Sequence, residues 1–201
     1  VIRSDRLGSF WMELLYSLPP ERRVGKDADL QELLDDTSRL YNYFRDDDTP
    51  EIDYAALIEP YGCSKHAVDR ANISNEDVVV ISGAGTLGLG MITYARMKNP
   101  KLLIVLDMQQ NRLDKAKEFG ADLVFNPGEC DIDKEIKALT DGYGCDIYIE
   151  ATGNPASVIQ GLTIIRKLGT FVEFSVFGKE TTADWSIIGD RKELNILGSH
   201  L

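Results

Sequence analysis

The sequence predicts a doubly wound α/β fold, a mostly parallel sheet covered by helices on both faces, and three features predict it. Residues 78–88 carry an apolar, β-branched stretch into a glycine-rich turn, Val-Val-Val-Ile-Ser-Gly-Ala-Gly-Thr-Leu-Gly. A second apolar run, Leu102 to Leu106, ends in an acid, Asp107. From residue 51 onward, apolar runs of strand length alternate with single helix-length segments. Such alternation requires crossover connections and hence parallel strands.

Residues 1–50 have a different character. Phe10 to Leu18 and Asp29 to Phe44 read as two helices separated by Pro19-Pro20, the second with Leu30, Leu33, Leu34, Leu40, Tyr41 and Phe44 on one apolar face. Asp46-Asp47-Asp48-Thr49-Pro50 reads as a solvated linker. A short helical segment without a chemical motif is therefore expected over 1–50, ahead of a single domain over 51–201.

Within that domain, Ala56 to Ser64 leads into a short helix through Ala71, and the strand Val78 to Ser82 follows. Leu87, Met91, Ile92 and Ala95 recur at helical spacing until Asn99-Pro100 stops the helix before the strand Leu102 to Leu106. Asn111 to Phe119 is the next helix, Leu123 to Phe125 the third strand, Ile132 to Thr140 a helix, and Asp146 to Glu150 the fourth strand, entering Ala151-Thr152-Gly153. Asn154 caps a helix that starts at Pro155, buries Val158, Leu162 and Ile165, and stops at Gly169. Phe171 to Val176 reads as the fifth strand and Leu194 to Leu197 as the sixth.

The glycines set the chemistry. Gly83 permits the tight strand-to-helix turn, Gly85 lets backbone approach an anion, and Gly88 allows close helix–strand packing, which is the dinucleotide-binding (Rossmann) fingerprint. Thr86 and Leu87 open the helix whose unpaired N–H groups and partial positive charge would receive a pyrophosphate. Asp107 falls 24 positions after Gly83, near the spacing of about 20 expected for a carboxylate that accepts from the adenosine ribose hydroxyls. A 2′-phosphate would meet like charge there, so NAD is expected over NADP. The bland alternative is an acid that merely caps a turn.

Composition narrows the classes. A net charge of −11, from 33 acidic and 22 basic residues, argues against a nucleic-acid partner. No stretch approaches the roughly 20 apolar residues of a membrane span, and with no charged-then-apolar leader pattern a cytoplasmic location is the expectation. Cys63, Cys130 and Cys145 never form a C-x-x-C, so neither a disulfide framework nor a zinc knuckle is indicated.

Several blocks together resemble one family: Ala56-Leu57-Ile58-Glu59-Pro60, Gly83 to Gly88, Asp107 with Arg112, Gly120-Ala121-Asp122, Ile149-Glu150-Ala151-Thr152-Gly153, and Gly169-Thr170-Phe171-Val172. From about Asp53 to Leu201 the chain resembles the coenzyme domain of the zinc-dependent medium-chain alcohol and polyol dehydrogenases. Cys63-Ser64-Lys65-His66 and Asp184-Trp185-Ser186-Ile187-Ile188 bring it nearest to the sorbitol-like and erythritol- or threitol-type polyol enzymes. The resemblance implies hydride transfer between a secondary alcohol or polyol and the nicotinamide of NAD, with zinc polarising the alcohol oxygen. It further implies that Arg112 stacks on or flanks the adenine, the alternative being a surface helix charge, that Thr152 and Gly153 lie beside the nicotinamide ribose, and that Ser175, Val176 and Phe177 touch the nicotinamide end, strand-core packing being the alternative for Val176. Glu59 occupies the family's place for a carboxylate at or near the metal, the alternative being an ordinary surface Glu.

The chain departs from the pattern as well. Residues 1–50 contain no Cys and no His, so the usual zinc ligands are missing, and this chain alone is expected neither to bind zinc nor to oxidise alcohols. His66 reads as a packed or capping residue, and His200 carries no role. A homo-oligomer formed through the last strand is implied by the resemblance. Two other classes remain open: a non-catalytic NAD-binding or assembly module, and a methyltransferase, which also uses a glycine-rich turn followed by an acid.

Overall fold

The computed structural model describes residues 58–200, and the helices and linker expected over 1–50 lie outside them. Residues 59–200 form one compact unit. In chain order its elements are α1 (Ile58–Ala71), β1 (Val78–Ser82), α2 (Thr86–Met97), β2 (Leu102–Leu106), α3 (Gln110–Glu118), β3 (Leu123–Phe125), α4 (Ile132–Leu139), β4 (Cys145–Glu150), α5 (Pro155–Ile164), β5 (Ile165–Glu173), a 3-10 turn (Trp185–Ile187) and β6 (Asn195–Gly198).

The six strands form one sheet in the order β3-β2-β1-β4-β5-β6, and every pairing is parallel. The two-residue alternation of a strand divides the core into two layers. Val79, Ile81, Leu103, Val105, Ile149 and Val172 pack with Ala67, Met91, Ile92, Ala95 and Ala116 from α1, α2 and α3. Val80, Ile104, Leu106, Tyr148 and Phe171 pack with Ile132, Ile136, Leu162 and Ile164 from α4 and α5. Because both faces are covered, β1 is buried at every position, which explains its unbroken Val-Val-Val-Ile. Each such side chain contributes about 1.5–3 kcal/mol by leaving water.

The sequence order runs outward from β1 on one side and from β4 on the other. Helices leaving the two central strands therefore cross to opposite sides, and a crevice opens at the carboxyl ends between them. Gly83 lies at that edge.

Helix α1 touches α2 at three points. Ser64 donates to the Leu87 carbonyl at 2.9 Å, the Tyr61 and Tyr94 rings meet edge to face at 6.5 Å, and Lys98 pairs with Asp69 at 2.8 Å. A Cβ added to Gly90 would sit 2.4 Å from the Tyr61 ring, so this contact needs glycine. The helix starts at Ile58, earlier than expected, and Ser64 sits inside it, with its hydroxyl bonded to the Pro60 carbonyl at 2.9 Å.

The largest correction concerns α5 and β5. The helix ends at Ile164, not Gly169, and the fifth strand runs Ile165–Glu173, not Phe171 to Val176. Three carbonyls at the helix end, of Leu162, Thr163 and Ile165, accept from the Lys192 ammonium at 2.7–2.8 Å. This cap comes from far along the chain and cannot be seen in local spacing. Ile165 then pairs with Cys145, and the register slips before Thr170 pairs with Ile147. Leu168 takes up the slack at φ +60°. Gly169 serves close passage instead of helix termination, since a Cβ there would lie 3.0 Å from the Asp146 and Arg166 carbonyls. The other elements shift by about one residue at an end, as hydrogen-bond-defined boundaries do.

Candidate functional site

The loop after β1 is set by two clashes that glycine avoids. Gly83 has φ +108°, and a Cβ there would fall 2.7 Å from the Ala151 carbonyl oxygen. A Cβ on Gly88 would come within 2.0 Å of the Gly83 carbonyl, so helix and loop touch backbone to backbone. Gly85 differs: nothing lies within 4 Å of its added Cβ. It is the N-cap of α2, no side chain caps the first turn, and no acid stands in that turn. The positive end of the helix therefore has no side-chain cap and no acidic counter-charge in its first turn among the described residues. Thr86 is exposed beside Gly85, whereas Leu87 turns partly into the core layer beneath α2.

Asp107 ends its strand against this loop. Its Oδ2 accepts from the Ala84 N–H at 2.9 Å and its Oδ1 from the Gln109 N–H at 2.9 Å. The side chain is only 8% exposed, and the Arg112 guanidinium stands 3.7 Å away. Two backbone bonds leave about two lone-pair sites of the carboxylate for sugar hydroxyls.

Beside Asp107 opens a crevice of about 250 Å³, lined by Ser82, Asp107, Met108, Arg112, Thr152, Ser157 and Gln160 among others. Its floor is a chain of hydroxyls: buried Tyr148 bonds Ser157, and Ser157 donates to Ser82 at 2.8 Å. Burial pushes the Tyr148 phenol upward, so it stays neutral and serves as a fixed hydrogen-bonding group. A second hollow of about 280 Å³ opens at the amino end of the sheet. Its Asp146 is engaged by the Val78 N–H at 2.7 Å and by Arg166 at 2.5 Å.

The exits of β4 and β5 make a neighbouring surface. Glu150 is fully buried; its carboxylate accepts from the N–H of Thr152 at 3.0 Å, from the Thr152 hydroxyl, and from the Gly153 N–H at 3.1 Å. Glu173, paired with Glu150 across the strands, accepts from the Ser175 N–H at 2.9 Å, and the Ser175 hydroxyl donates to the Glu150 carbonyl at 3.2 Å. A Cβ on Gly153 would meet the Val176 carbonyl at 2.6 Å, so the two exits are in contact. Val176 is 90% exposed and Phe177 partly so. Burial pushes Glu173 up to about 7; the Ser175 N–H pulls the other way, and the charge of Glu150 adds to the rise.

The structure therefore puts Asp107, Arg112 and Thr152 in the lining of one crevice, with the loop of Gly83, Gly85 and Gly88 joined to it through the Ala84 N–H on Asp107, and Gly153, Ser175, Val176 and Phe177 on the exits of β4 and β5. Leu87 belongs to the scaffold by its side chain. Ser82, Ser157 and Gln160 line the crevice without having been singled out from sequence. Ser82, Glu150 and Glu173 fall on one register row, and each is the polar residue that closes an apolar strand, the signal that could have found them.

Glu59 stands exposed in the first turn of α1, where the Cys63 thiol donates to it at 3.2 Å. Burial, with the Arg70 charge behind it, lowers His66. Among the described residues no group of three or more His, Cys, Asp or Glu could hold a metal ion. Zinc needs at least three protein ligands, so the described donor set does not fit it. Cys145 is buried and pushed up to about 12 by desolvation, which makes it inert. No helix among the described residues is long and apolar enough to cross a membrane.

Comparison with known proteins gives a consistent picture. Residues 86–201 match the family described as zinc-binding dehydrogenase. The erythritol/L-threitol dehydrogenase of Mycolicibacterium smegmatis is 53% identical over 155 residues, 76% of this chain and 43% of that enzyme. The sorbitol dehydrogenase of Halalkalibacterium halodurans is 35% identical over 147 residues, 72% of this chain and 43% of that enzyme. Among solved structures, a short-chain alcohol dehydrogenase of Escherichia coli CFT073 complexed with NADH superposes with a TM-score of 0.68 at 27% identity, covering 74% of this chain and 43% of the other. The chain thus spans less than half the length of the relatives it matches.

Proposed function

Since the chain belongs to the zinc-binding dehydrogenase family, we infer that residues 51–201 are the coenzyme-binding part of an NAD-dependent polyol or secondary-alcohol dehydrogenase. The observation that carries this reading is the Asp107 carboxylate bonded to the Ala84 N–H of the glycine loop. One acid and one anion-receiving helix end are thereby held in fixed relation, as a ribose and its neighbouring pyrophosphate require.

In this reading the first turn of α2 holds the phosphates through its N–H groups, with Gly85 leaving the room. Asp107 accepts from the ribose hydroxyls and repels a 2′-phosphate, which selects NAD over NADP. Arg112 flanks the adenosine. Thr152, held by Glu150, and Gly153 support the second ribose, and Ser175, Val176 and Phe177 receive the nicotinamide. When bound, the nicotinamide supplies hydride acceptance and donation at its C4.

No step is assigned to zinc here, because Glu59 is the one described residue at the family's metal neighbourhood, and a single carboxylate cannot hold the ion. The chain is read as catalytically incomplete by itself, with residues 1–50 assigned no role. A cytoplasmic setting and a small-molecule alcohol or polyol substrate accompany this reading. So does self-association through β6, which among the described residues pairs on one side only, with β5.

Calorimetric titration with NADH, NADPH and S-adenosylmethionine tests the assignment. NADH should bind most tightly. Tighter binding of S-adenosylmethionine would overturn it in favour of a methyltransferase.

A further inference from the structure

Glu150 and Glu173 are side by side in register on two adjacent parallel strands, on the face lined one layer below by the stacked rings of Tyr148 and Phe171. Glu150 is fully buried, Glu173 about half so. Helix α5, which covers this face, has the sequence PASVIQGLTI and brings no ionisable group. Strand β6 opposes Glu173 with Gly198. Beyond the strand exit, Lys179 and Glu180 are exposed. The groups acting on Glu173 are the N–H groups of Phe174 and Ser175, which favour its charge, and Glu150, which opposes it. Among the described residues no cation acts on it.

Two carboxyls on neighbouring strands without a cation raise the free energy of the fold, and apolar residues would pack there without that penalty. Rules of this kind are broken at functional edges. On the NAD reading, Asp107 at the end of β2 takes the adenosine ribose and the loop after β1 takes the phosphates. The order β2-β1-β4-β5 then puts the nicotinamide end over the exits of β4 and β5, about 10 Å farther along the edge at about 4.8 Å per strand. The nicotinamide ring is a cation when oxidised and neutral when reduced.

We propose that Glu173, seated beside Glu150, is a specificity-determining residue that favours the oxidised over the reduced nicotinamide by its negative charge. The proposal rests on the NAD reading of the site and adds to it a preference for redox state that depends on pH. Glu173 carries its proton on the acid side of neutrality and loses it on the alkaline side, and only the ionised form attracts the ring. By linkage, binding of the oxidised cofactor releases the Glu173 proton to solvent.

The test measures binding of NAD⁺, NADH and ADP-ribose to the full 201-residue chain by calorimetry at about pH 6 and about pH 8.5. For the wild type, the preference for NAD⁺ over NADH should rise by about fivefold across this interval, the effect of one charge in a partly solvated site at this range. Glu173→Gln should flatten the profile, and Glu173→Asp should retain part of it. ADP-ribose lacks the ring and should bind equally in all three. Near pH 7, binding of NAD⁺ but not of ADP-ribose should release protons, seen as a dependence of the heat on buffer ionisation enthalpy. A flat wild-type profile, or an equal slope in Glu173→Gln, overturns the proposal while the NAD reading stands. Failure of ADP-ribose to bind any of the three proteins overturns that reading, and the proposal with it.

Discussion

Replacing Asp107 separates a cofactor-binding acid from a turn residue. Its carboxylate accepts two backbone N–H groups, from Ala84 and Gln109, both at 2.9 Å. Asp107→Ala would leave those donors without their charged partner, and bonds to charged groups contribute about 1.5–3 kcal/mol each, so the fold should lose about 2–4 kcal/mol. Asp107→Asn keeps the shape and one acceptor oxygen but turns its amide NH2 against the other backbone N–H, and should cost about 1–3 kcal/mol. For the cofactor, the loss of a charged acceptor for ribose hydroxyls removes about 1.5–3 kcal/mol, which is roughly 10- to 100-fold in NADH affinity. NADPH gains from the removal of like charge, so the preference between the two should narrow by more than NADH binding alone weakens. Fluorescence titration of both reduced cofactors against Asp107→Asn, with circular dichroism as a folding control, measures this. A folded variant with an unaltered NADH-to-NADPH ratio would refute the reasoning and reduce Asp107 to a cap.

Gly88→Ala should destabilise the protein by about 3 kcal/mol or more in urea unfolding, because its Cβ would lie 2.0 Å from a backbone oxygen that cannot yield. Gly85→Ala, with open space around its Cβ, should leave the midpoint within about 0.5 kcal/mol of wild type yet weaken NADH binding in the same titration. Leu168→Gly should raise the thermal midpoint slightly, since φ +60° costs a leucine about 1–2 kcal/mol and the added chain entropy returns about 0.5–1 of it. Glu173 titrates at about 7 in the fold against 4.5 unfolded. The folded state therefore holds the proton longer, and the stability this gives, complete below about pH 4.5, is lost as pH rises to about 7. The half-exposed position limits the loss to about 1–2 kcal/mol. Glu173→Gln should show no such decline in a melting series over that range.

Those elements whose cause lies within a few residues could be read from the sequence. The β1 run, the glycine spacing, Asn154 before Pro155, and the acid after β2 each state their role locally, and the structure has Asn154 accepting from the Ala156 N–H at 3.0 Å. The end of α5 could not be read in this way. Ile165 and Arg166 continue an apolar helical pattern, and what turns them into strand is the Lys192 ammonium and the pairing with Cys145, both more than 15 residues distant. The crevice floor is invisible for the same reason, since Ser82 and Ser157 meet across 75 positions. Glu150 and Glu173 read as the polar ends of apolar strands; their adjacency exists only once β4 and β5 are set in register. Asp107 and Thr152 were legible because each ends its own strand beside a marked turn, whereas Ser157 and Gln160 come from the body of α5 and carry no such mark.

Helices α1 and α2 are bolted together at three heights, by Ser64 on the Leu87 carbonyl, Tyr61 over Gly90, and Asp69 with Lys98. The turn bearing Glu59 is thereby tied to the helix that opens at Gly85. On the NAD reading, a shift of that helix end when the cofactor docks would reach position 59 through these same contacts.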